Sequence, residues 1–175
     1  MIVRLEGRAR VFGDDINTDY IIASTRKRDT LDESILKRYL LEAVDPAFAA
    51  SVREGDILVA GRNFGCGSAM EIAATVILAV GIKAVIAPTF ARTFYRNAIN
   101  NGLVPVQCET AGIAEGDRIA VRQAGDTIDV SNLTSGRSAR AEPLPHTMLA
   151  ILAAGGLVEY IRRHGRWPEE PAPAR

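Results

Sequence analysis

Residues 56–106 constrain the fold of this chain most strongly. Three runs within them, at 56–60, 83–87 and 103–106, are short, apolar and bounded by Gly, Pro or Asn, which predicts buried strands. The segments between the runs predict helices. A strand–helix–strand–helix–strand order favours parallel strands joined by right-handed crossovers. We therefore predict an α/β fold with this unit as its core.

The two helices of this unit have recognisable ends. The first is predicted to begin at a capping box, residues 68–71, and to end at Gly81, a typical C-cap glycine. The second is predicted over residues 89–101 and ends before Gly102. The apolar residues of the first follow the i, i+3, i+4, i+7 spacing of an amphipathic helix, at Ala69, Ile72, Ala73, Val76, Ile77 and Val80.

The flanking regions predict further elements. Residues 2–11 predict a strand, and a second capping box at 30–33 predicts a helix that runs to about Val44. Residues 117–130 predict a β-hairpin that turns at 124–126. A last helix is predicted over His146 to His164, with a break at Gly155-Gly156.

Composition limits the classes of protein. A chain of 175 residues, 47% of them apolar, can bury one core, so we predict a single domain over residues 1–165 and a flexible tail over 166–175. The 21 basic and 21 acidic residues balance, so no overall field favours nucleic acid or a membrane surface as a partner. No apolar run is long enough to span a bilayer, and we expect a cytoplasmic protein.

The cysteine and histidine content limits metal binding. The chain has two cysteines, Cys66 and Cys108, far apart in sequence, and two histidines. These residues cannot supply the usual ligands of structural zinc or of an iron–sulfur cluster. Any such metal must be held by a partner chain.

Residues 61–71, GRNFGCGSAME, form a glycine-rich loop between the first strand and the first helix of the unit. Gly61, Gly65 and Gly67 leave backbone N–H groups free to bind a phosphate or a carboxylate, and the helix dipole would assist. The loop lacks the Gly-Lys-Ser/Thr of a Walker loop and the spacing of a dinucleotide fingerprint.

The loop pattern leaves two other interpretations open. In the first, the glycines only permit a tight turn, and Ser68 caps the helix together with Glu71. In the second, the helix N-terminus lowers the pKa of Cys66 and makes this thiol reactive. Neither His146 nor His164 lies in a recognisable motif that would serve a thiol enzyme.

Three stretches together resemble a known family. They are GDDINTDYII at 13–22, the loop at 63–71 and FARTFYRNAINNGL at 90–103. Their order and spacing are similar to the small subunits of 3-isopropylmalate dehydratase and homoaconitase, the counterpart of the swivelling C-terminal domain of aconitase. The likeness covers residues 3–165. It implies a swivelling β/β/α domain that closes over a large subunit carrying a [4Fe-4S] cluster.

The resemblance implies catalytic roles for Ser68 and Asp19. Ser68 matches the serine that takes or returns a proton on the carbon beside the substrate hydroxyl, while the iron acts as a Lewis acid. Loop N–H groups would stabilise its alkoxide. Asp19 matches the last residue of an Asp-x-Asp-Thr-Asp element and would pair with a histidine of the large subunit. An Asx or ST turn at 17–19 is the alternative.

The family's specificity loop matches three adjacent cations here. A gapless alignment places Arg26 and Lys27 at its Tyr-Leu positions and Arg28 at the position that selects the substrate. Such cations would suit a carboxylate, although a solvated surface run is the alternative.

The serine loop departs from the family pattern. After Gly67 and Ser68, Ala69 and Met70 stand where relatives have Ser and an Arg that clamps a substrate carboxylate. Either a basic residue at 26–28 supplies the missing charge, or the substrate presents a less polar group near Met70. Loss of the usual activity is a third explanation.

The resemblance predicts the small subunit of a heteromeric hydro-lyase, inactive alone, that dehydrates and rehydrates a hydroxy di- or tricarboxylate. The substrate would be 3-isopropylmalate, homoaconitate or a related acid of amino-acid biosynthesis, such as leucine biosynthesis. A diverged, non-catalytic binding or regulatory module is the alternative. In isolation the chain could form a homo-oligomer.

Overall fold

The computed structural model describes residues 4–124 and 127–169. Its seven strands form one sheet. They are β1 (Arg4–Val11), β2 (Ile57–Val59), β3 (Ala84–Ala87), β4 (Val104–Gln107), β5 (Arg118–Ala124), β6 (Thr127–Asn132) and β7 (Ser138–Arg140).

The four helices before β2 have four residues each, and the four after it have eight to ten. They are α1 (Thr18–Ile21), α2 (Arg26–Asp29), α3 (Glu33–Leu36), α4 (Phe48–Ser51), α5 (Ile72–Ala79), α6 (Arg92–Asn101), α7 (His146–Ala154) and α8 (Leu157–His164), with a 3-10 turn at Lys37–Tyr39. None in the described residues is long and apolar enough to cross a membrane.

β1 joins a parallel half of the sheet to an antiparallel half. Its residues 9–11 pair in parallel with β2, and its residues 4–8 pair antiparallel with β5. The strand order is β4-β3-β2-β1-β5-β6-β7. The parallel pairing of β2, β3 and β4 confirms the prediction from residues 56–106, and the β5–β6 pairing confirms the hairpin.

The parallel strands are buried on both faces. Leu58 of β2 points into a core that contains residues of α5, whereas Ile57 and Val59 point into a second core that contains residues of α7. Strands covered on both sides have continuous apolar runs rather than alternating ones. Burial on both faces explains why the sequence is continuously apolar at 57–60 and 84–87, which allowed both strands to be predicted.

The helix predicted over 30–44 is wrong in length. Only α3 and the 3-10 turn form, and Leu41 adopts a left-handed conformation with φ 57°. Leu40 and Leu41 are both fully buried, and the Leu41 N–H donates to the Ile21 carbonyl at 2.9 Å. The left-handed backbone of Leu41 and its hydrogen bond to Ile21, which lies outside this segment, end the helical turns here.

Both predicted capping boxes are also wrong. At the first, Asp32 rather than Thr30 caps α3, and its side chain accepts a hydrogen bond from the Ser34 N–H at 2.9 Å. At the second, α5 begins at Ile72, and its N-cap residue Glu71 makes no capping side-chain hydrogen bond.

The remaining helices and strands agree with the sequence in outline. α6 ends at Gly102, and α7 and α8 are separated at Gly155-Gly156, as predicted. Parts of three predictions lie outside the described residues: 2–3 of the first strand, 125–126 of the hairpin turn and 170–175 of the tail.

Candidate functional site

Three segments that follow parallel strands meet at one edge of the sheet. β1, β2 and β3 end at Val11, Val59 and Ala87, and the chain after each of them enters the same group of loops. Ligands of open α/β sheets bind at the carboxyl ends of the strands. The three stretches that carried the family resemblance begin at this edge, which makes it the candidate site.

Hydrogen bonds fasten the glycine loop to the segment after β1. The Gly65 N–H donates to the Ile16 carbonyl at 2.7 Å, and the Thr18 N–H donates to the Cys66 carbonyl at 2.8 Å. The Thr18 hydroxyl, which is buried, donates to the Ser68 carbonyl at 2.9 Å. Sequence reasoning gave Thr18 no role, because its partner is distant in the chain.

The segment after β3 holds the other side of the loop. The Phe64 N–H donates to the Thr89 carbonyl at 3.0 Å, and the Ala91 N–H donates to the Phe64 carbonyl at 2.9 Å. Gly65 lies against the Phe94 ring, where a Cβ would come within 2.2 Å of a ring carbon, and its φ is 77°. The loop therefore requires glycine at this position.

Ser68 is exposed, and its hydroxyl has no hydrogen-bond partner among the described residues. It precedes the N-cap of α5, so the prediction that Ser68 caps this helix is wrong. Residues 68–70 lie outside the helix: the Ser68 carbonyl accepts the bond from Thr18, and the Met70 side chain is buried in the core. The Ser68 hydroxyl is therefore free for another role.

Two unpaired backbone donors belong to Ser68 and to the residue that follows it. Within the described chain, the N–H groups of Ser68 and Ala69 donate to no protein acceptor, and both residues are exposed. The residue before them is Gly67, which has a φ of 90° and carries no side chain. Consecutive free N–H groups of this kind bind anions.

Asp19 lies in α1, next to the residue that contacts Ser68. Its carboxylate is exposed, and one oxygen accepts a hydrogen bond from the Ser24 N–H at 3.0 Å. Asn17 caps α1 by accepting from the Tyr20 N–H at 2.8 Å. The local turn proposed from the sequence is present, and it leaves the second Asp19 oxygen without a protein donor in the described residues.

Arg26 contacts Glu42 and Tyr39 rather than the glycine loop. Its guanidinium donates to both carboxylate oxygens of Glu42, at 2.8 and 3.0 Å, and lies 3.9 Å from the centre of the Tyr39 ring. The hydrogen bond that Arg26 donates to Glu42 raises the pKa of Arg26, and this effect outweighs desolvation, which lowers it. Arg26 therefore tethers α2 to the segment after α3.

Lys27 and Arg28 differ from Arg26. The Lys27 Nζ atom lies 2.9 Å from the Met70 sulfur, so α2 contacts the end of the glycine loop. Arg28 is exposed, and its side chain has no partner among the described residues. The structure thus brings Lys27, and not Arg26, to the loop.

The thiols of both cysteines have raised pKa values. Burial, followed by the charge of Asp15, raises the pKa of Cys66. The interpretation that a helix N-terminus lowers this pKa is wrong. α5 begins at Ile72, well beyond Cys66. Burial and Glu109 raise the pKa of Cys108 to about 11. No three His, Cys, Asp or Glu residues in the described ranges are arranged to hold a metal. These residues do not fit an iron–sulfur cluster.

Comparisons with known proteins agree with this geometry. Residues 14–111 match the aconitase C-terminal domain. The 3-isopropylmalate dehydratase small subunit 1 of Methanopyrus kandleri is 47% identical over 165 residues, which cover 92% of this chain and 94% of the relative. The methanogen homoaconitase small subunit of Methanocaldococcus jannaschii is 43% identical over 159 residues, which cover 91% and 92%.

A solved structure is similar throughout. The crystal structure of 3-isopropylmalate dehydratase from Methanocaldococcus jannaschii matches with a TM-score of 0.87 and 42% identity, over 93% of this chain and 96% of that one. The chain belongs to the aconitase C-terminal domain family. The relatives at 43–47% identity are small subunits of 3-isopropylmalate dehydratase and homoaconitase, which confirms the resemblance and the fold class predicted from the sequence.

Proposed function

We propose that this chain is the small subunit of a heteromeric hydro-lyase that removes water from, and adds it to, a hydroxy di- or tricarboxylate. The convergence of the three signature stretches at the carboxyl ends of the parallel strands carries this proposal. The Ser68 hydroxyl there is exposed and has no partner among the described residues, and the N–H groups of Ser68 and Ala69 are also unpaired. The names of the relatives, all small subunits, support a larger partner chain. None of these names supports a non-catalytic module.

Ser68 is the proposed base. A hydroxyl is a poor base at neutral pH, so it must be paired with groups that stabilise its alkoxide before it takes the substrate proton. The free N–H groups of Ser68 and Ala69 are suited to this task. The Thr18 hydroxyl fixes the Ser68 carbonyl and therefore the position of the backbone that carries the base.

Asp19 is the proposed contact with the large subunit inside the active site. Its exposed carboxylate is oriented by the Ser24 N–H and retains an oxygen that could accept a hydrogen bond from a partner such as a histidine. Because α1 is also bonded to the glycine loop through Thr18, a partner docked on Asp19 would lie close to Ser68.

We assign the [4Fe-4S] cluster to the large subunit. The cluster would polarise the substrate hydroxyl and carboxylate as a Lewis acid. The described part of this chain offers no ligand set for it. The contribution of this chain is the base, the anion-binding loop and the docking carboxylate.

Reconstitution with the large subunit tests the proposal. The complex, with its cluster intact, should hydrate at least one of maleate, citraconate, cis-aconitate and homoaconitate or dehydrate 3-isopropylmalate, and the absorbance of the double bond follows either reaction. The isolated chain should be inactive on all five. A complex that assembles with its cluster and turns over none of these acids would refute the proposed activity.

A further inference from the structure

Ser68 and Glu71 have the sequence of a capping box but do not form one. In such a box the serine hydroxyl accepts from the glutamate N–H, and the glutamate carboxylate accepts from the serine N–H. Within the described residues neither bond is present, and both N–H groups lack a protein acceptor. The box requires residues 69–71 to be helical, one turn before α5 begins at Ile72. The fold therefore leaves the N–H and the hydroxyl of Ser68 unpaired.

Asn101, the last residue of α6, binds the Glu71 carboxylate instead. The Asn101 Nδ2 group donates to Glu71 Oε1 at 3.2 Å and to the Asn97 carbonyl at 2.9 Å. The bond to Asn97, within α6, fixes the direction of the amide. Asn101 is half-buried, whereas Glu71 is exposed. The amide is thus a fixed donor that holds the carboxylate at the end of α6.

The bond to Asn101 competes with the capping box for the same carboxylate. A hydrogen bond to an amide side chain and a capping bond contribute similar free energies, so local structure alone does not decide between them. The Thr18 bond to the Ser68 carbonyl and the burial of Met70 favour the observed arrangement. Asn101 contributes the partner that removes the carboxylate from the competition.

Formation of the capping box would impair the proposed base in two ways. The Ser68 N–H would bind the Glu71 carboxylate and could no longer stabilise an alkoxide. A negative charge beside the hydroxyl would also make its deprotonation less favourable. We propose that Asn101 is a positioning residue that keeps the Glu71 carboxylate away from the Ser68 N–H. Its effect on catalysis rests on the function proposed above.

A double-mutant cycle in the reconstituted complex tests this role. Asn101→Asp is measured with and without Glu71→Ala, because the new carboxylate removes the donor and repels Glu71. Asn100→Asp is the matched control: Asn100 is exposed, its side chain has no hydrogen-bond partner among the described residues, and the variant adds the same charge near the C-terminus of α6. Thermal melting and gel filtration check that each variant folds and assembles.

Asn101→Asp should lower kcat/KM about tenfold when Glu71 is present, which is the loss expected for one hydrogen bond to a charged group. In the Glu71→Ala background the same substitution should have no effect, and Asn100→Asp should match the wild type. Asn101→Ala, which removes the donor without adding a charge, should give a smaller loss with the same dependence on Glu71. It replaces Asn101→Asp in the cycle if that variant does not fold.

Hydrogen exchange of the Ser68 amide, followed by NMR in the full ¹⁵N-labelled chain, tests the same role without turnover. In the wild type this amide should exchange as an unprotected one. A tenfold fall in kcat/KM corresponds to about nine capped molecules in ten, so Asn101→Asp should slow the exchange about tenfold. Adding Glu71→Ala should restore the wild-type exchange rate.

Three results would overturn the role of Asn101. They are a loss in Asn101→Asp that is equal with and without Glu71, the same loss in Asn100→Asp, or exchange of the Ser68 amide that Asn101→Asp does not slow. Failure of the proposed activity is a separate outcome, because it appears as absent turnover in every variant. The exchange measurement then still decides whether Asn101 controls the position of Glu71.

Discussion

At Gly65 the backbone and the Phe94 ring leave no room for a side chain. A Cβ there would lie 2.2 Å from the Phe94 Cγ, at a φ of 77°. Gly136 has nearly the same φ, 75°, but a Cβ at that position would meet no atom within 4 Å. Gly65→Ala should lower the free energy of unfolding by about 3 kcal/mol, and Gly136→Ala by about 1 kcal/mol. Urea unfolding of both variants measures the difference, and equal losses would mean that the Phe94 contact is unimportant.

Thr18 connects two of the three signature stretches through a single hydroxyl. Thr18→Val keeps the shape of the side chain but removes the 2.9 Å bond to the Ser68 carbonyl. We expect a stability loss of about 1 kcal/mol and a fall in kcat of about tenfold or more, because the base would lose its fixed position. Thr134→Val, which removes a 2.9 Å bond far from the loop, should leave kcat unchanged. Equal kcat in the two variants would argue against a positioning role.

At the scale of helices and strands, α5 begins later than its sequence pattern indicates. Ser68→Ala should therefore change the free energy of unfolding by less than about 0.5 kcal/mol. Asn17→Ala, by contrast, removes the cap of α1 and should cost about 1 kcal/mol. Chemical denaturation distinguishes the two, and a large loss for Ser68→Ala would restore the capping interpretation.

Asp56 connects β1 to the start of β2. The carboxylate is buried and binds Arg8 at 2.7 Å, Arg10 at 3.5 Å and the Arg53 N–H at 3.0 Å. Burial alone would raise the pKa of Asp56, but the hydrogen bonds from Arg8 and the Arg53 N–H outweigh it, so the pKa is lowered. A carboxyl whose pKa is lower in the folded state stabilises the fold above its unfolded pKa, and this stabilisation disappears as pH falls through the folded pKa.

Asp56→Asn should accordingly destabilise the protein by about 3 kcal/mol at pH 7, because Arg8 loses its counter-charge and Arg10 retains only Glu115. The difference from the wild type should begin to shrink as pH falls below about 4, the ordinary pKa of an aspartate, and should disappear once pH falls below the lowered pKa of the folded carboxyl. Urea unfolding at neutral and acidic pH measures both values. A difference that is constant across this range would show that the charge of Asp56 is not responsible.

The sequence predicted the strands that are buried on both faces and the helices that end at glycines. Its predictions were wrong where contacts between distant segments override the local sequence pattern. β2, β3 and β4 and the helix ends at Gly102 and Gly155 were predictable from short apolar runs and glycine positions. The helix at 30–44 failed because Leu41 bonds to Ile21 across the fold. β7 is too short, at three residues, to produce a pattern.

In the candidate site, too, local motifs were predictable and contacts between distant residues were not. Ser68, Asp19 and the glycines were identified from motifs, because each lies in a contiguous stretch. The separation of Arg26 from Lys27 could not be predicted, since it depends on Glu42 and Met70, which are far from α2 in sequence.

At the scale of the whole molecule, the candidate site lies at the end of only one half of the sheet. The parallel half ends in the loops that carry Ser68, Asp19 and Lys27, and β1 joins it to the antiparallel half formed with β5, β6 and β7. The site is open at the surface, with Ser68 and Asp19 both exposed. An open site of this kind fits a chain that is completed by a partner subunit.

The central claim is that Ser68 is the base of the reaction. The most direct measurement is the kcat of the reconstituted complex carrying Ser68→Ala, compared with Ser135→Ala, an exposed serine in the turn between β6 and β7. Loss of a general base should lower kcat by about 10²- to 10⁴-fold in Ser68→Ala, with complex assembly intact and Ser135→Ala unchanged. A Ser68→Ala complex that retains the wild-type kcat would contradict the claim.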